Sequence, residues 1–590
     1  MRRLPLSEKK EFDVAQAKEI SNVIISKALR NLTKAELDKL DENKVMSMRW
    51  VLTRKTDGTA KARLVILGFM AHNLTEVATA SPTLSKVGRN LVLTLSSNLK
   101  FVVRGGDVTS AFLQTGISLE DEELTIWAPP ELAAMFGAEY GEQKALRVCE
   151  AFYGLVHAPR KWYERCVQVM KSLGWRQLQG DKCVYVLLDP ETGKISGLAG
   201  LHVDDFLLSG DPNSTFFDNA QAALLKTFRW GKWETEEFTF AGCRIRQAED
   251  FSITLDQEDY TNKWIEEIKI DATRSRRALL LPAEVSALRG ALGTISWRAT
   301  QTAPQYLADT SLLLSEVSKG TVETLYKVNK LIREMRANAS QGLLFPSWGK
   351  EIKELAVIVW ADASQHNRPD KSSTIGILAG IGPREMIDGE EHQLAIVQWK
   401  SGKTPRQCLG SNGAEVQAVT IGEDICWNLR LLLAELAGEE VRRDNLHEIV
   451  KVIDGAVVMD TRGIYDAITR NLSPLHGLRE ARAGYELTLA VNQGIQSGVQ
   501  FRWVNGLAQL ADAMTKASNR KILLHLFGQK QHWRLVHDEK FESGRRVHKK
   551  ELEKRLKDMQ ANFVAYVKEL AEKKNFPWTN ESPIRYHPLN

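Results

Sequence analysis

The 590-residue sequence predicts a multidomain α+β protein in which acidic residues close the strands of two separate αβ units. Three observations lead there. LHVDDFLLSG, residues 201–210, sets Asp204 and Asp205 between two apolar runs, the pattern of a tight hairpin. Residues 355–512 read as βββαβααβ with Asp362, Asp460 and Asp512 at or just past strand ends and Glu415 at a helix start. The length corresponds to about four domain equivalents, too much for one ordinary core. The apolar content of 43% is that of a globular protein, so several cores can be buried.

The net charge of +5 permits a nucleic-acid partner without demanding one. The six cysteines are scattered with no C-x-x-C pair, which argues against a zinc site or a disulfide scaffold and fits a reducing compartment. MRRLPLSEKKEF lacks the apolar core of a signal peptide, and no stretch is long and uncharged enough to span a bilayer. The expectation is a soluble intracellular protein with no membrane partner.

Residues 1–45 are charged and helical in pattern, with Leu29, Leu32, Leu37 and Leu40 at roughly helical spacing. WVLTRK and KARLVILG flank Thr56-Asp57-Gly58-Thr59, a hairpin signal. Residues 84–98 predict a helix, and KFVVRGGDV a strand ending in Asp107. APRKWYERCVQVMKSLGW predicts an amphipathic helix with Pro159 in its first turn, Trp162, Cys166, Met170 and Leu173 on one face, and Gly174 past its end. Residues 215–345 predict mostly helix with two short strands, FTFAGCRI and SITLDQ, and Leu288, Leu292 and Ile295 at core spacing. Residues 343–353 predict a linker. ELAVIVWADAS, STIGILAGIG and LAIVQWKS then predict strands, 413–437 a long helix, and HEIVKVIDGAVVMD a strand up to Asp460. Helices over 463–470 and 478–496 and the strand VQFRWVN complete the unit. Residues 519–575 are basic and helical, with Leu552, Leu556, Met559, Phe563, Tyr566 and Leu570 on a heptad seam, and the end of the chain is expected to be disordered.

The first acidic set is Asp107, Asp204 and Asp205. Asp-Asp is a poor choice for a two-residue turn, and adjacent like charges repel. A divalent cation removes that objection, because hard ions take several oxygen ligands. A strand-end Asp beside an Asp-Asp hairpin suits two ions ~3.5–4 Å apart. Gly105-Gly106 before Asp107 would let the backbone approach a ligand. Taken singly, Asp107 also reads as a helix N-cap and the pair as a solvated turn.

GGDVTSAFLQT resembles the D-V-x-T-A-F-L segment of copia-type retrotransposon reverse transcriptases. AFYGLVHAPRKWY resembles their L-Y-G-L-K-Q-A-P-R-x-W-Y, LHVDDFLLSG their Y-V-D-D hairpin, and KARLVILGF their K-A-R-L-V-x-x-G-F. LRGALGTISWRATQTAPQY resembles the segment that follows the palm. The resemblance covers roughly residues 10–518 and implies a right-hand fold of fingers, palm and thumb. It implies that Asp107, Asp204 and Asp205 hold metal, and that Phe112 blocks a ribose 2′-hydroxyl, against the plain reading of a core Phe. Lys61 and Arg63 share one face of a strand and would grip a triphosphate, or else guard an edge strand. Arg160 and Lys161 beside Trp162 and Tyr163 suit template or primer. His202 stands where the family has Tyr, and His157 where it has Gln. Both changes bear on nucleotide positioning, fidelity and rate.

The second acidic set is Asp362, Glu415, Asp460 and Asp512, in VWADAS, GAEVQAV, VVMDTRG and QLADAMTK. Four such carboxylates are what a two-metal nuclease needs. QLADAMTK resembles the copia Q-L-A-D-x-L-T-K, RPDKSSTIG the stretch after its first Asp, and GAEVQAV the helix start of ribonuclease H. This implies a ribonuclease H-like α/β domain with a mixed sheet. The family's histidine-bearing stretch is blurred: His476 is a weak counterpart, and Asn505-Gly506 stands where retroviral enzymes place a histidine loop.

The expected organisation is an N-terminal helical segment (1–45), fingers and palm (46–230), a mostly helical thumb and connection (231–353), a ribonuclease H-like domain (354–518) and a basic extension (519–590). The expected activity is RNA-directed DNA polymerisation with cleavage of the RNA strand of a hybrid. It would use two Mg2+ per site, with Mn2+ as a substitute. The expected partners are an RNA template, a DNA or RNA primer-template, RNA/DNA hybrid, dNTPs, and the integrase and capsid of the same element. The expected location is cytoplasmic, in virus-like particles, with nuclear access for the element's DNA complex. The alternative is a catalytically inactive or repurposed nucleic-acid-binding remnant of such an element.

Overall fold

Alternation decides the first sheet. In the strand Ala60–Ile66, Ala62, Leu64 and Ile66 are buried while Arg63 is exposed and Lys61 half-buried, so the two cations share the outer face. This is the computed structural model of the chain, and it describes residues 6–55, 58–139, 141–469 and 478–535, with the helical residues 561, 563 and 565. Met1–Val536 forms one compact unit and His537–Asn590 another. The first sheet runs in the order Leu29–Asn31, Lys144–Val148, Thr125–Ala128, Met46–Arg54, Ala60–Ile66. The helix Leu6–Ser26 contributes Val23 to the same core as Leu64 and Ile66.

Leu29 corrects the helical reading of residues 29–40. It lies on a strand paired with Val148, and Leu37, in the helix Lys34–Leu37, is 52% exposed. The reason is local: Thr33 and Glu36 form a capping box that starts a new helix and breaks the period. Thr56 and Asp57 of the predicted turn lie outside the described residues, while Lys55 N–H donates to Thr59 O at 2.9 Å across it.

The second sheet is antiparallel throughout, in the order Trp230–Thr235, Val102–Val108, Asp205–Gly210, Ile195–His202, Val184–Leu188, Trp175–Gln177. The predicted amphipathic helix forms over Ala158–Ser172, with Trp162, Cys166 and Met170 buried and Gly174 in the left-handed region at φ +86°. The helix Lys86–Asn98 is buried from Gly88 to its end, polar residues included. Those polar groups face another part of the chain. Asn90 Nδ2 donates to Val397 O (3.0 Å), Ser97 Oγ to Phe345 O (2.8 Å) and Asn98 Nδ2 to Lys350 O (2.7 Å).

Residues 215–353 hold more strand than the sequence reading allows. FTFAGCRI splits at Ala241-Gly242 (φ +46° and +75°) into the hairpin Glu237–Phe240 and Cys243–Gln247. Ile253–Asp256 extends this sheet, and Leu343–Phe345, predicted as linker, closes it. Leu343 and Phe345 are buried, and burying them is what converts linker to strand. The helix Pro282–Gln301 buries Leu288, Leu292 and Ile295 completely, as their spacing predicts.

The third sheet is mixed. Ala395–Lys403, Thr374–Pro383 and Leu355–Ser364 pair antiparallel, and Asp454–Met459 and Gln500–Trp503 continue it in parallel. The central strand is buried from Leu355 to Ala363, the pattern of a strand covered on both faces. The helix Ser411–Leu436 packs on it. HEIVKVIDGAVVMD divides into the helix Leu446–Val450 and the strand Asp454–Met459, a correction to the single predicted strand. His476 and most of the heptad seam lie outside the described residues; Phe563 is helical and exposed. Among the described residues no helix is long and apolar enough to cross a membrane.

Candidate active sites

Asp107 and Asp205 are register partners on neighbouring antiparallel strands. Directly opposed residues bring their Cβ atoms to about 4.5–5.5 Å. His202 pairs with Asp205, so the hairpin turn is Val203-Asp204: Asp204 is at the tip and Asp205 opens the returning strand. The three carboxylates line one cleft of about 170 Å³ with Gly105, Gly106, Lys232 and Phe238. Burial, then the charges of Asp204 and Asp107, push the Asp205 carboxyl up to about 6, against the lowering effect of the Ala241 amide. An all-carboxylate donor set held against its own repulsion fits a hard divalent cation.

Gly105 and Gly106 line the cleft beside Asp107, and each also sits against an aromatic ring. A Cβ at Gly105 would lie 2.3 Å from the Phe238 ring, and one at Gly106 2.5 Å from the Trp233 ring. The glycines make room for aromatic rings on the two faces of the Asp107 strand. Gly231 makes room for the carboxylate itself, since a Cβ there would lie 2.5 Å from Asp107 Oδ1. Gly231→Ala is expected to rotate that flexible carboxylate away rather than unfold the strand. Affinity of the cleft for a divalent cation should drop by at least about ten-fold with the melting temperature nearly unchanged, a pairing that a cation titration and a thermal melt check together.

Lys61 reaches this cleft by charge. Burial, Arg63 and Lys55 lower its pKa, while Asp204 and Asp107 raise it. The Arg63 guanidinium lies 5.5 Å from the centre of the Tyr153 ring, and the Phe112 ring 5.4 Å from the same ring. Tyr153, within AFYGL, thus joins two predicted substrate residues without being singled out by the sequence. His202 is half-buried beside Phe240, and burial lowers its pKa against the raising charge of Asp204. His157 is not brought to the cleft. It is 1% exposed, with Nε2 3.3 Å from Glu122 Oε2. Trp162 is also 1% exposed and donates its indole N–H to Val203 O at 2.7 Å, so it is no stacking platform. Arg160 pairs with Glu164 at 2.7 Å and donates to Ala80 O. The helix Pro282–Gln301 has an exposed face: Gly290 and Gly293 look into open space, and Trp297 is 41% exposed. Its one sequence signal is two glycines inside a helical pattern.

The second acidic set is gathered more tightly. Ligand atoms of Asp362, Glu415 and Asp460 lie within 4.8 Å of one another. Asp362 is supplied by the buried central strand, Glu415 by the start of the helix Ser411–Leu436, and Asp460 by the residue after Asp454–Met459. Asp512 opens the helix Asp512–Thr515 and accepts from Lys516 Nζ at 2.5 Å and Asn519 Nδ2 at 3.0 Å. Burial raises the pKa of Asp362, Glu415 and Asp460, and neighbouring carboxylates raise each further. Burial works against the Lys516 ammonium, yet Asp362 and Asp512 hold its pKa high. Thr515 Oγ1 donates to Asp362. Among the described residues Glu415 Oε2 is buried with no hydrogen-bond partner. An orphaned buried carboxylate oxygen among three more acids fits a metal-binding site. The charge of Lys516, in QLADAMTK, reaches both Asp512 and Asp362, a convergence that only the fold reveals.

Residues 33–280 match the family described as reverse transcriptase (RNA-dependent DNA polymerase). Similar curated proteins include the transposon Ty1-MR1 Gag-Pol polyprotein of Saccharomyces cerevisiae. It is 23% identical over 469 residues, covering 73% of this chain and 24% of that protein. The Ty1-OR Gag-Pol polyprotein of the same yeast is 24% identical with the same coverage. The chain therefore spans about a quarter of the length of these relatives. Among solved structures, a foamy viral protease-reverse transcriptase with double-stranded DNA aligns over 84% of this chain and 70% of its own. That alignment has a TM-score of 0.48 and 12% identity. A foamy viral protease-reverse transcriptase in complex with RNA/DNA hybrid aligns over 84% and 74%, at a TM-score of 0.31 and 11% identity.

Proposed function

We propose that the chain, whose residues 33–280 match the reverse transcriptase family and which is similar to Ty1 Gag-Pol polyproteins, extends a primer on RNA and DNA templates. We propose also that its second acidic site cleaves the RNA of an RNA/DNA hybrid. The observation that carries the first activity is Asp107 opposed to Asp205 beside the Asp204 turn. Magnesium bound there would lower the pKa of the attacking hydroxyl and offset charge on the leaving oxygen. Asp107, Asp204 and Asp205 hold the cations and fix where the primer end meets the nucleotide. Lys61, whose charge couples to Asp204 and Asp107, and Arg63, on its face of the strand, neutralise the triphosphate. Phe112, set against Tyr153, supplies the rigid wall that excludes a ribose 2′-hydroxyl. The Gly290, Gly293 and Trp297 face offers a duplex a close backbone approach and an apolar contact.

At the second site Asp362, Glu415, Asp460 and Asp512 hold magnesium, and Lys516 balances the surplus charge. The proposed assignment is fingers and palm over 46–230, thumb and connection over 231–353 and nuclease over 354–518. The proposed partners are template, primer, hybrid and dNTPs, with the integrase and capsid of the same element, in cytoplasmic particles.

Primer extension on an RNA template with dNTPs and magnesium tests the reading, with Asp204→Asn as control. Incorporation by the wild type and none by the control is the expected result. If the wild type and a His202→Tyr, His157→Gln double variant both fail to incorporate, the polymerase reading falls, and the chain is a nucleic-acid-binding remnant.

A further inference from the structure

Val203 sits one residue before Asp204 with φ +60°, a left-handed backbone that a β-branched residue avoids. Its side chain is exposed, so burial does not hold it there. Two hydrogen bonds anchor the turn from opposite sides. Val108 N–H, on the Asp107 strand, donates to Asp204 O at 2.9 Å. The indole N–H of Trp162 donates to Val203 O at 2.7 Å. Trp162 lies on the helix Ala158–Ser172, outside the sheet that carries the aspartates. Its ring is buried against Phe228, with centroids 5.0 Å apart, so the donor is held rigidly where the carbonyl must point.

We infer that Trp162 is a positioning residue for polymerisation: its indole N–H pins the Val203 carbonyl and so holds the Val203-Asp204 turn in the backbone that aims Asp204 and Asp205. The inference rests on the polymerase reading, but its structural half does not. Without the indole bond the turn keeps one anchor, at Val108, and pivots about it toward a relaxed φ. Asp204 moves most, because it shares the turn peptide. The nucleotide's own contacts, from Lys61 and Arg63 on a different sheet, are left in place.

The test is a double-variant cycle with two readouts. Trp162→Phe keeps an aromatic ring on Phe228 and removes the donor, together with one ring of the indole. Its kcat for primer extension is expected to fall about ten-fold, with the KM for dNTP within about two-fold of wild type. Hydrogen exchange of peptides covering residues 198–210 should quicken about ten-fold at the turn amides and stay unchanged in the third sheet. Val203→Gly lets the turn adopt its φ without help. In that background Trp162→Phe should change neither kcat nor exchange further.

Additive effects of the two substitutions overturn the inference, and so does unchanged exchange in Trp162→Phe, whatever extension shows. A wild type that fails to extend primers while exchange shows the coupled pattern removes the polymerase reading and leaves the pin. Normal wild-type extension without coupling removes the pin alone.

Discussion

Primer extension by the Asp204→Asn protein is expected to fall about a thousand-fold, while hybrid cleavage continues at the wild-type rate. A metal ligand at the reacting centre is worth several kcal/mol of transition-state stabilisation, and each 1.36 kcal/mol is a decade in rate. Asn keeps the shape and suits a turn, so the hairpin should form unchanged. The change also lifts one of the charges that push Asp205 up to about 6. The remaining carboxylate should therefore ionise at lower pH, and the apo protein should be at least as stable as wild type. Loss of both activities, or a large fall in melting temperature, would show that the substitution disturbs the fold rather than the site. Cleavage should be spared because its acids sit on the third sheet and on the helices and strand end around it, not on the sheet of the Asp204 turn. A parallel assay on a labelled hybrid supplies that half of the measurement.

Much of the site is legible in the sequence because its signals are local. A strand announces itself by period, and Asp204-Asp205 between two apolar runs needs no knowledge of the rest of the chain. The same holds for Asp362 after VIVW and for Leu288, Leu292 and Ile295, all three fully buried. What escapes is whatever a distant segment decides. Gly105 and Gly106 reveal a close approach, but only the fold shows that Phe238 and Trp233 make it. His157 occupies a motif position of a nucleotide contact, yet Glu122 and the surrounding core claim it. Leu343–Phe345 heads the predicted linker and becomes a strand because Ile253–Leu255 offers an open edge. Trp162 is instructive in another way. Its period with Cys166 and Met170 already assigns it to the core face, which conflicts with a stacking role on nucleic acid. The conflict resolves once the indole N–H is seen to end on Val203 O.

Glu415→Gln is expected to cut hybrid cleavage by roughly a thousand-fold, by the same arithmetic, and to make the metal-free protein more stable at neutral pH. Burial, then Asp362 and Asp460, raise the Glu415 carboxyl well above its ordinary value of 4.5. A carboxyl whose folded pKa is raised contributes stability that is fully present below its unfolded pKa. That stability is lost as the pH climbs through the folded value. In chelator, the wild-type melting temperature should therefore decline as pH rises from about 4.5 toward 8. Lys516 limits the decline, because its ammonium stays charged beside Asp512 and Asp362. Gln cannot ionise, so the variant should show a shallower decline and a higher melting temperature at pH 7.5. Magnesium should reverse the order: it binds the folded site and not the unfolded chain, so it lifts the wild type strongly and the variant weakly. Thermal melts across this pH range, with chelator and with magnesium, read all of this. Parallel slopes for the two proteins would mean that the Glu415 carboxylate is not held against the charges of Asp362 and Asp460.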